Sequence, residues 1–251
     1  MVAKRIIPCL DVHEGKTVKG INFLNLAEVG DPVELGRFYS DEGADELVYL
    51  DISATHEGRG IFRKMVKNVA LTLNISFTVG GGIRSLDDAA ALLDSGADKV
   101  SLNSAALDDP SLIDRIAAVY GSQFVVVAID ASFRNGVWRV FSKGGREERP
   151  RELFEWADEC AARGAGEILF TSMDRDGTKE GFEYATLKTL NNRLSLPIIA
   201  SGGAGSKEHF KELFTNDCAD AALAASVFHR REIGILELKG YLAANGVSVR
   251  I

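Results

Sequence analysis

Residues 76–104 open Ser76-Phe-Thr-Val-Gly-Gly-Gly-Ile-Arg-Ser85, continue in a helical pattern, and close Gly96-Ala-Asp-Lys-Val-Ser-Leu-Asn-Ser104. The chain writes this stretch a second time. Residues 197–226 open Pro197-Ile-Ile-Ala-Ser-Gly-Gly-Ala-Gly-Ser206 and close Ala219-Asp-Ala-Ala-Leu-Ala-Ala-Ser226. In each copy an apolar strand ends at a diglycine, a serine opens a helix, and a second strand ends in a small polar residue. Glycine lets main-chain N–H groups approach an anion closely, and the helix start that follows adds its dipole. One such stretch is more often a plain turn. Two in matching places predict a molecule that grips an anion at each of two ends.

The echo extends outward from these copies. Ile6-Ile-Pro-Cys-Leu-Asp11 matches Val125-Val-Val-Ala-Ile-Asp130, and Gly43 to Asp51 matches Gly164 to Ser172. The interval drifts slowly, from 119 residues between Asp11 and Asp130 to 122 between Ser104 and Ser226, as small insertions in one half would produce. Eight apolar runs alternate with helical patterns: 6–10, 47–50, 75–79, 99–102, 124–129, 168–170, 196–200 and 221–225. Most are continuously apolar, as parallel strands covered on both faces require. Helix starts are marked by Asp31-Pro32, Ser85 with Asp88, and Asp109-Pro110. The reading is a (β/α)8 TIM barrel built from two duplicated half-barrels, one domain over residues 1–251. A doubly wound open sheet competes, but the three spaced glycines of its nucleotide turn are absent after the first strand.

Composition narrows the function. The net charge of −7 argues against nucleic-acid or membrane attraction, though not against a local basic pocket. Three scattered cysteines, Cys9, Cys160 and Cys218, read as reduced thiols of a cytoplasmic protein, and four scattered histidines form no metal motif. No metal and no cofactor is expected. No apolar run reaches the length of a membrane span.

Asp11 and Asp130 each end an apolar strand just before a long loop, on opposite sides of one mouth. Each alone reads as a turn cap; placed symmetrically, they read as a pair that divides proton acceptance and donation. The donor of the two needs its pKa raised by burial or by neighbouring charge, and the sequence does not say which residue that is. Residues 171–178, beginning with Thr171 and containing Asp176 and Gly177, read as a substrate-binding loop. Asn103 with Ser104, and Ala225 with Ser226, complete the two anion grips begun at Gly82 and Gly203. Residues 13–30 carry His13, Glu14, Lys16 and Lys19 between glycines and read as a mobile lid. Within residues 132–149, Asn135-Gly136 reads as a two-residue hairpin turn.

These residues also carry a resemblance. Ala3 to Val12, Val18-Lys-Gly20, Phe77 to Arg84, Gly121-Ser-Gln123, Asp174 to Lys179, Ala200 to Gly205 and Ala221 to His229 resemble the cyclase subunit of imidazole glycerol phosphate synthase, over essentially the whole chain. The resemblance implies a (β/α)8 barrel of histidine biosynthesis. Such an enzyme takes a bisphosphorylated ribulosyl formimino-carboxamide ribonucleotide and ammonia, and it releases imidazole glycerol phosphate and an aminoimidazole carboxamide ribotide. The resemblance also implies a glutaminase partner docked at the opposite, N-terminal end of the barrel. Asp11 and Asp130 then match the general acid/base pair, Lys19 a loop lysine and Asp176 a supporting acid. Gly82, Asn103 and Ser104 match one phosphate site, and Gly177, Gly203, Ala225 and Ser226 match the other. Ser104 stands where threonine is common, and Arg146-Glu-Glu-Arg149 replaces a common turn.

Arg5, Glu46, Lys99 and Glu167 begin the first, second, fourth and sixth strands, so two cations and two anions can close a ring at the N-terminal rim. By itself such a ring only stabilises. The resemblance makes these four positions the gate of an ammonia entrance, with Asp98 beside it touching the partner. Two enzyme readings compete: the related isomerase of the same pathway, also a duplicated half-barrel with two aspartates, and a paralogue that uses ammonia on another sugar. From another class comes a non-catalytic phosphosugar-binding subunit that stimulates a glutaminase.

Overall fold

The computed structural model describes residues 2–13, 16–21, 24–52 and 63–251; of residues 16, 18–21 and 24–29 it describes the main chain alone. The first half of the chain forms β1 (Arg5–His13), β2 (Lys16–Ile21), β3 (Leu24–Gly30), α1 (Pro32–Asp41), β4 (Glu46–Asp51), α2 (Arg63–Ala70), β5 (Ser76–Gly80), α3 (Leu86–Leu93), β6 (Lys99–Leu102), α4 (Ser104–Asp108) and α5 (Ser111–Tyr120). The second forms β7 (Val125–Arg134), β8 (Val137–Ser142), β9 (Glu147–Glu152), α6 (Leu153–Ala162), β10 (Glu167–Ser172), α7 (Tyr184–Arg193), β11 (Ile198–Ser201), α8 (Lys207–Thr215), β12 (Ala221–Ala224), α9 (Ser226–His229) and α10 (Ile235–Ala244).

The apolar runs become parallel strands because helices cover their outer faces and side chains fill the inside. β1, β4, β5, β6, β7, β10, β11 and β12 pair in parallel in that order, and β12 returns to β1 with Arg5 opposite Ala221 and Ile7 opposite Leu223. This is a closed (β/α)8 barrel. Six of the eight barrel strands start one or two residues away from the sequence reading, and two of these shifts have a visible local cause. The seventh barrel strand begins at Ile198 rather than Leu196, and Pro197, which has no N–H, gives its carbonyl to Ile168 N (3.1 Å). Phe124 closes a short 3-10 turn, Ser122–Phe124, before β7 begins.

Two excursions leave the C-terminal mouth. Residues 13–30, expected to be a lid, contain β2 and β3, antiparallel to each other, with β2 also antiparallel to β1. Glu14 lies outside the described residues, and nothing is described of the Lys16 and Lys19 side chains. β8 folds back antiparallel on β7 through Asn135-Gly136, both at positive φ (51° and 85°), the two-residue turn that Asn-Gly favours. β9 then pairs antiparallel with β8.

The packing has two compartments. Inside the barrel, Ile7, Cys9, Val48, Val126, Leu169 and Ile199 cluster with Ala221 and Leu223. Between strands and helices lies a larger cluster that includes Leu10, Tyr49, Phe77, Trp156, Phe170 and Phe210. Helix starts follow their local chemistry. Asp31 accepts from Val33 N and Glu34 N (2.8 and 3.1 Å); Ser85 Oγ accepts from Asp88 N (3.1 Å) while the Asp88 carboxylate accepts from the Ser85 hydroxyl (2.9 Å) and Arg84 N (3.0 Å). Such caps contribute about 1 kcal/mol each.

The duplication is visible in the backbone. Ser85 and Ser206 share φ/ψ of −146°/166° and −145°/166°, and Asn103 and Ala225 share the unusual −131°/−89° and −120°/−69°. A finer repeat lies beneath it. Asp45, Asp98, Gly166 and Asp220, each just before or at the start of an even-numbered barrel strand, donate N–H to the carbonyls of Ile6, Phe77, Val125 and Ile198. At three of the four, the aspartate carboxylate also accepts the N–H of that same partner residue: Ile6, Phe77 and Ile198. At the fourth, a Cβ on Gly166 would sit 2.1 Å from Ser122 O, so the 3-10 turn occupies the space the aspartate would need.

Candidate active site

Side chains of a strand alternate, so one set from each barrel strand points inward and its last member reaches the C-terminal mouth. Asp11 on β1 and Asp130 on β7 are such last members. They line a cavity of about 530 Å³ together with Gly82, Asn103, Ser104, Thr171, Asp176, Gly177, Gly203, Ala225 and Ser226. The structure therefore gathers into one cavity every candidate catalytic and substrate-binding residue except Lys19, which lies on β2 with its side chain outside the described residues.

Asp11 is buried (4% exposed), with the Cys9 thiol 3.7 Å from its Oδ1. Asp130 is half-buried and accepts from Asn103 Nδ2 at 2.9 Å and from the Thr171 hydroxyl. Burial and the negative charge of Asp176 push Asp130 up to about 7, with a smaller push from Asp11. The bonds from Thr171 and Asn103 favour its ionised form but do not offset this. Of the two aspartates, Asp130 thus meets the requirement for a proton donor near neutral pH. Asn103 spends its amide N–H on Asp130, and its buried Oδ1 has no partner among the described residues. An orphan acceptor of that kind costs about 1–3 kcal/mol and is relieved by a ligand donor.

The two glycine turns flank this pair. Gly81 and Gly82 have φ of 97° and 70°, Gly202 and Gly203 of 90° and 99°. A Cβ on Gly81 would meet Asp51 O at 2.3 Å, and one on Gly202 would meet Ser172 O at 2.6 Å, so both turns press against the last carbonyl of the preceding strand. Only glycine fits there. Ser104 Oγ accepts from Lys143 N (2.9 Å), which leaves its own proton to donate to an anion.

The sequence reading passed over several cavity residues. Asp51 ends β4 as Ser172 ends β10, and a carboxylate at that place in the echo was a usable signal. Ser201 lies just before the second diglycine. Lys143 and Gly144 reach the cavity from the β8–β9 turn; the diglycine Gly144-Gly145 marks that turn but does not say that it reaches the mouth. The departing stretch Arg146–Arg149 stays outside: Arg149 binds Asp108 at 2.6 Å and Arg146 binds the Lys143 carbonyl at 3.0 Å. Among the described residues, no group of three or more His, Cys, Asp or Glu could hold a metal ion, and no helix is long and apolar enough to cross a membrane.

At the opposite end, the four charged residues close a ring. Arg5 donates to Glu46 (2.8 Å) and to both oxygens of Glu167 (3.2 and 2.8 Å), and Lys99 donates to Glu46 (3.0 Å) and Glu167 (2.8 Å). Thr78 supplies a further bond to Glu46 at 2.6 Å. Burial works against the charge on Arg5 and on Glu167, but their contacts prevail, raising Arg5 and lowering Glu167 from their ordinary values.

A family model described as histidine biosynthesis protein matches residues 5–234. The imidazole glycerol phosphate synthase subunit HisF of Parabacteroides distasonis is 60% identical over 251 residues, covering 100% of both chains. Those of Phocaeicola vulgatus and Bacteroides thetaiotaomicron are 59% and 57% identical, again over 100% of each chain. The chain belongs to the HisF family. It is thus a cyclase of the imidazole glycerol phosphate synthase type, a lyase of histidine biosynthesis. The competing isomerase and non-catalytic readings give way to this membership.

Proposed function

We propose that the mouth holds the bisphosphorylated ribulosyl substrate with one phosphate against each glycine turn, and that Asp130 donates a proton while Asp11 accepts one. The whole chain, residues 1–251, acts as one domain in the cytoplasm. The observation that carries this reading is one cavity lined by two matched glycine turns and by two aspartates from opposite strands. The Gly82, Asn103 and Ser104 side takes one phosphate, and the Gly177, Gly203, Ala225 and Ser226 side takes the other, largely through main-chain N–H groups and serine hydroxyls. Asp176 keeps Asp130 protonated until substrate arrives. Lys19, whose main chain lies on β2, is the loop lysine of this reading.

The relatives are named as subunits, and we extend this to the present chain: a glutaminase docks at the N-terminal rim and ammonia enters through the ring of Arg5, Glu46, Lys99 and Glu167. Two features support that face. The ring caps a barrel interior in which Ala221, opposite Arg5, leaves more room than a larger side chain would. Leu71, Leu93 and Val119, at or just beyond the C-terminal ends of α2, α3 and α5, expose 76%, 41% and 58% of their surface where those helices lead back to the strand starts. Asp98, beside the ring, has its carboxylate on Phe77 N (2.8 Å) and is exposed to a partner as well.

Turnover of the ribulosyl substrate with ammonium salt tests the chemistry. Asp11→Asn and Asp130→Asn keep shape and hydrogen bonding but remove the exchangeable proton, so each lowers turnover by about 10²–10⁴-fold while substrate still binds. Near-normal turnover in either variant removes that residue from the mechanism.

A further inference from the structure

The parallel ladder between β7 and β10 runs from Glu167 opposite Val126 to Ser172 opposite Ala131, and Met173 N adds a last main-chain bond to Ala131 O at 2.9 Å. The first half has the same final bond, from Ile52 N to Val12 O at 3.0 Å. Beyond Met173 the main chain turns away: Ser172 O accepts from Arg175 N (3.2 Å) and Asp176 N (2.9 Å). β7 continues straight into its hairpin, so the N–H of Phe133 has no strand beside it on that edge. The Asp174 carboxylate fills the gap. Its Oδ2 accepts from Phe133 N at 2.7 Å and its Oδ1 from Ser132 Oγ at 2.5 Å.

We propose that Asp174 is a positioning residue for the proton chemistry: its carboxylate supplies the missing rung between β7 and the loop after β10, and so fixes where Asp176 stands relative to Asp130. The inference rests on the reading of Asp130 as an acid/base group. Asp130 lies two residues before Ser132 on β7, and Asp176 lies two residues after Asp174, so one carboxylate ties together the segments that carry both. Ser132 is fully buried, and Phe133 packs on Trp138, which packs in turn on Phe170 of β10, so the hairpin side of the clasp is held firmly. The loop side is held by Asp174 and the turn at Ser172 ahead of Asp176, and by Arg175 on Glu183 (3.3 Å) beside it; of these, only Asp174 ties the loop to β7 through a side chain. The groups that face Asp130 are Asp176 from this loop, Asp11 from β1, Asn103 after β6 and Thr171 from β10. Of the two acids, Asp176 has the greater effect, and it is the one on the tethered loop.

The test is the pH profile of ammonium-driven turnover, expressed per free ammonia at each pH, for the full-length enzyme and for Asp174→Ala, Asp174→Asn and Ser132→Ala. Freeing the loop lets Asp176 drift from Asp130, so in Asp174→Ala the ionisation assigned to Asp130 moves to lower pH. Turnover near neutrality then falls about tenfold to a hundredfold, the scale of a small misplacement of a catalytic group. Asp174→Asn retains an oxygen for Phe133 N–H and restores most of the wild-type profile. Ser132→Ala removes half of the clasp without touching the loop and shifts the profile in the same direction by less, which keeps the test open if Asp174→Ala folds poorly. An unshifted profile in both Asp174→Ala and Ser132→Ala, whatever their turnover, overturns the proposal. Asp130→Asn, run alongside, separates the two readings. If it stays active, the assignment of Asp130 fails; if it is inactive while the Asp174 profiles are unshifted, only the role of Asp174 fails.

Discussion

Asp130 is held by two donors, Asn103 and Thr171, and faced by two acids, Asp176 and Asp11. Its raised ionisation carries a stability consequence. An aspartate in the unfolded chain ionises near 3.8, whereas here it holds its proton up to about 7. The folded state therefore binds more protons than the unfolded state between those values. The stability associated with the group is present in full below the unfolded pKa and is lost as pH rises through 7. Asp130→Asn removes that loss while keeping an oxygen for Asn103. Thermal melts of the variant should lie above wild type near pH 8.5, by an amount equivalent to about 1–3 kcal/mol once partial exposure is allowed for. The margin should close as pH falls toward 4, and a margin that does not change with pH would contradict the raised ionisation. At this scale the sequence reading went far: both aspartates were legible because each closes an apolar run before a polar loop. Asp174 and Lys143 were not legible, because their partners, Ser132 with Phe133 and Ser104, lie about 40 residues away and only the folded barrel brings them together.

The glycine turns were the most legible elements, since a diglycine at a strand end marks a turn at positive φ that other residues rarely adopt. Their tolerance differs by position. A Cβ on Gly203 would meet Gly181 O at 2.0 Å, a backbone atom that cannot swing aside, and φ there is 99°. Gly203→Ala should therefore shift the segment around Gly181 and abolish inorganic phosphate binding in that half while sparing the Gly82 half. Phosphate titration followed by NMR distinguishes the two sites by the residues perturbed, and loss at both or at neither would tell against two independent grips. What the sequence did not yield at this scale is the quarter repeat. It recurs as Gly43-Ala-Asp45, Gly96-Ala-Asp98, Gly164-Ala-Gly166 and Cys218-Ala-Asp220, a match too short to be given a meaning until the carboxylates are seen on their N–H groups. The stretch 13–30 shows a different limit: its polar, glycine-spaced composition reads as a loop, while main-chain pairing of one part with β1 and of the other with that part makes it β2 and β3.

For the whole molecule, the decisive relation is between the two ends of one barrel, with the acids at the mouth and the charge ring at the base. The eightfold alternation of apolar runs with helical patterns made the barrel legible, and the resemblance pointed to the ring; its connectivity needed coordinates. Each cation touches both acids, so losing one still leaves Glu46 and Glu167 bridged by the other. Lys99→Ala should therefore fold, and it should impair glutamine-driven turnover in the assembled complex much more than turnover driven by ammonium salt. Equal losses with the two nitrogen sources would reduce the ring to a stabilising device. The barrel's last pairing has another consequence, one of timing. β1 is completed on one edge by β12, whose residues follow it by more than two hundred positions, Arg5 meeting Ala221. At ribosomal speeds of about 5–20 residues per second, the main-chain groups of that edge wait on the order of ten to forty seconds for their partner. During synthesis, then, the nascent chain carries an open, apolar strand edge for most of its time on the ribosome, and it is in that interval, rather than in the finished barrel, that this protein is most exposed to aggregation and most dependent on chaperones.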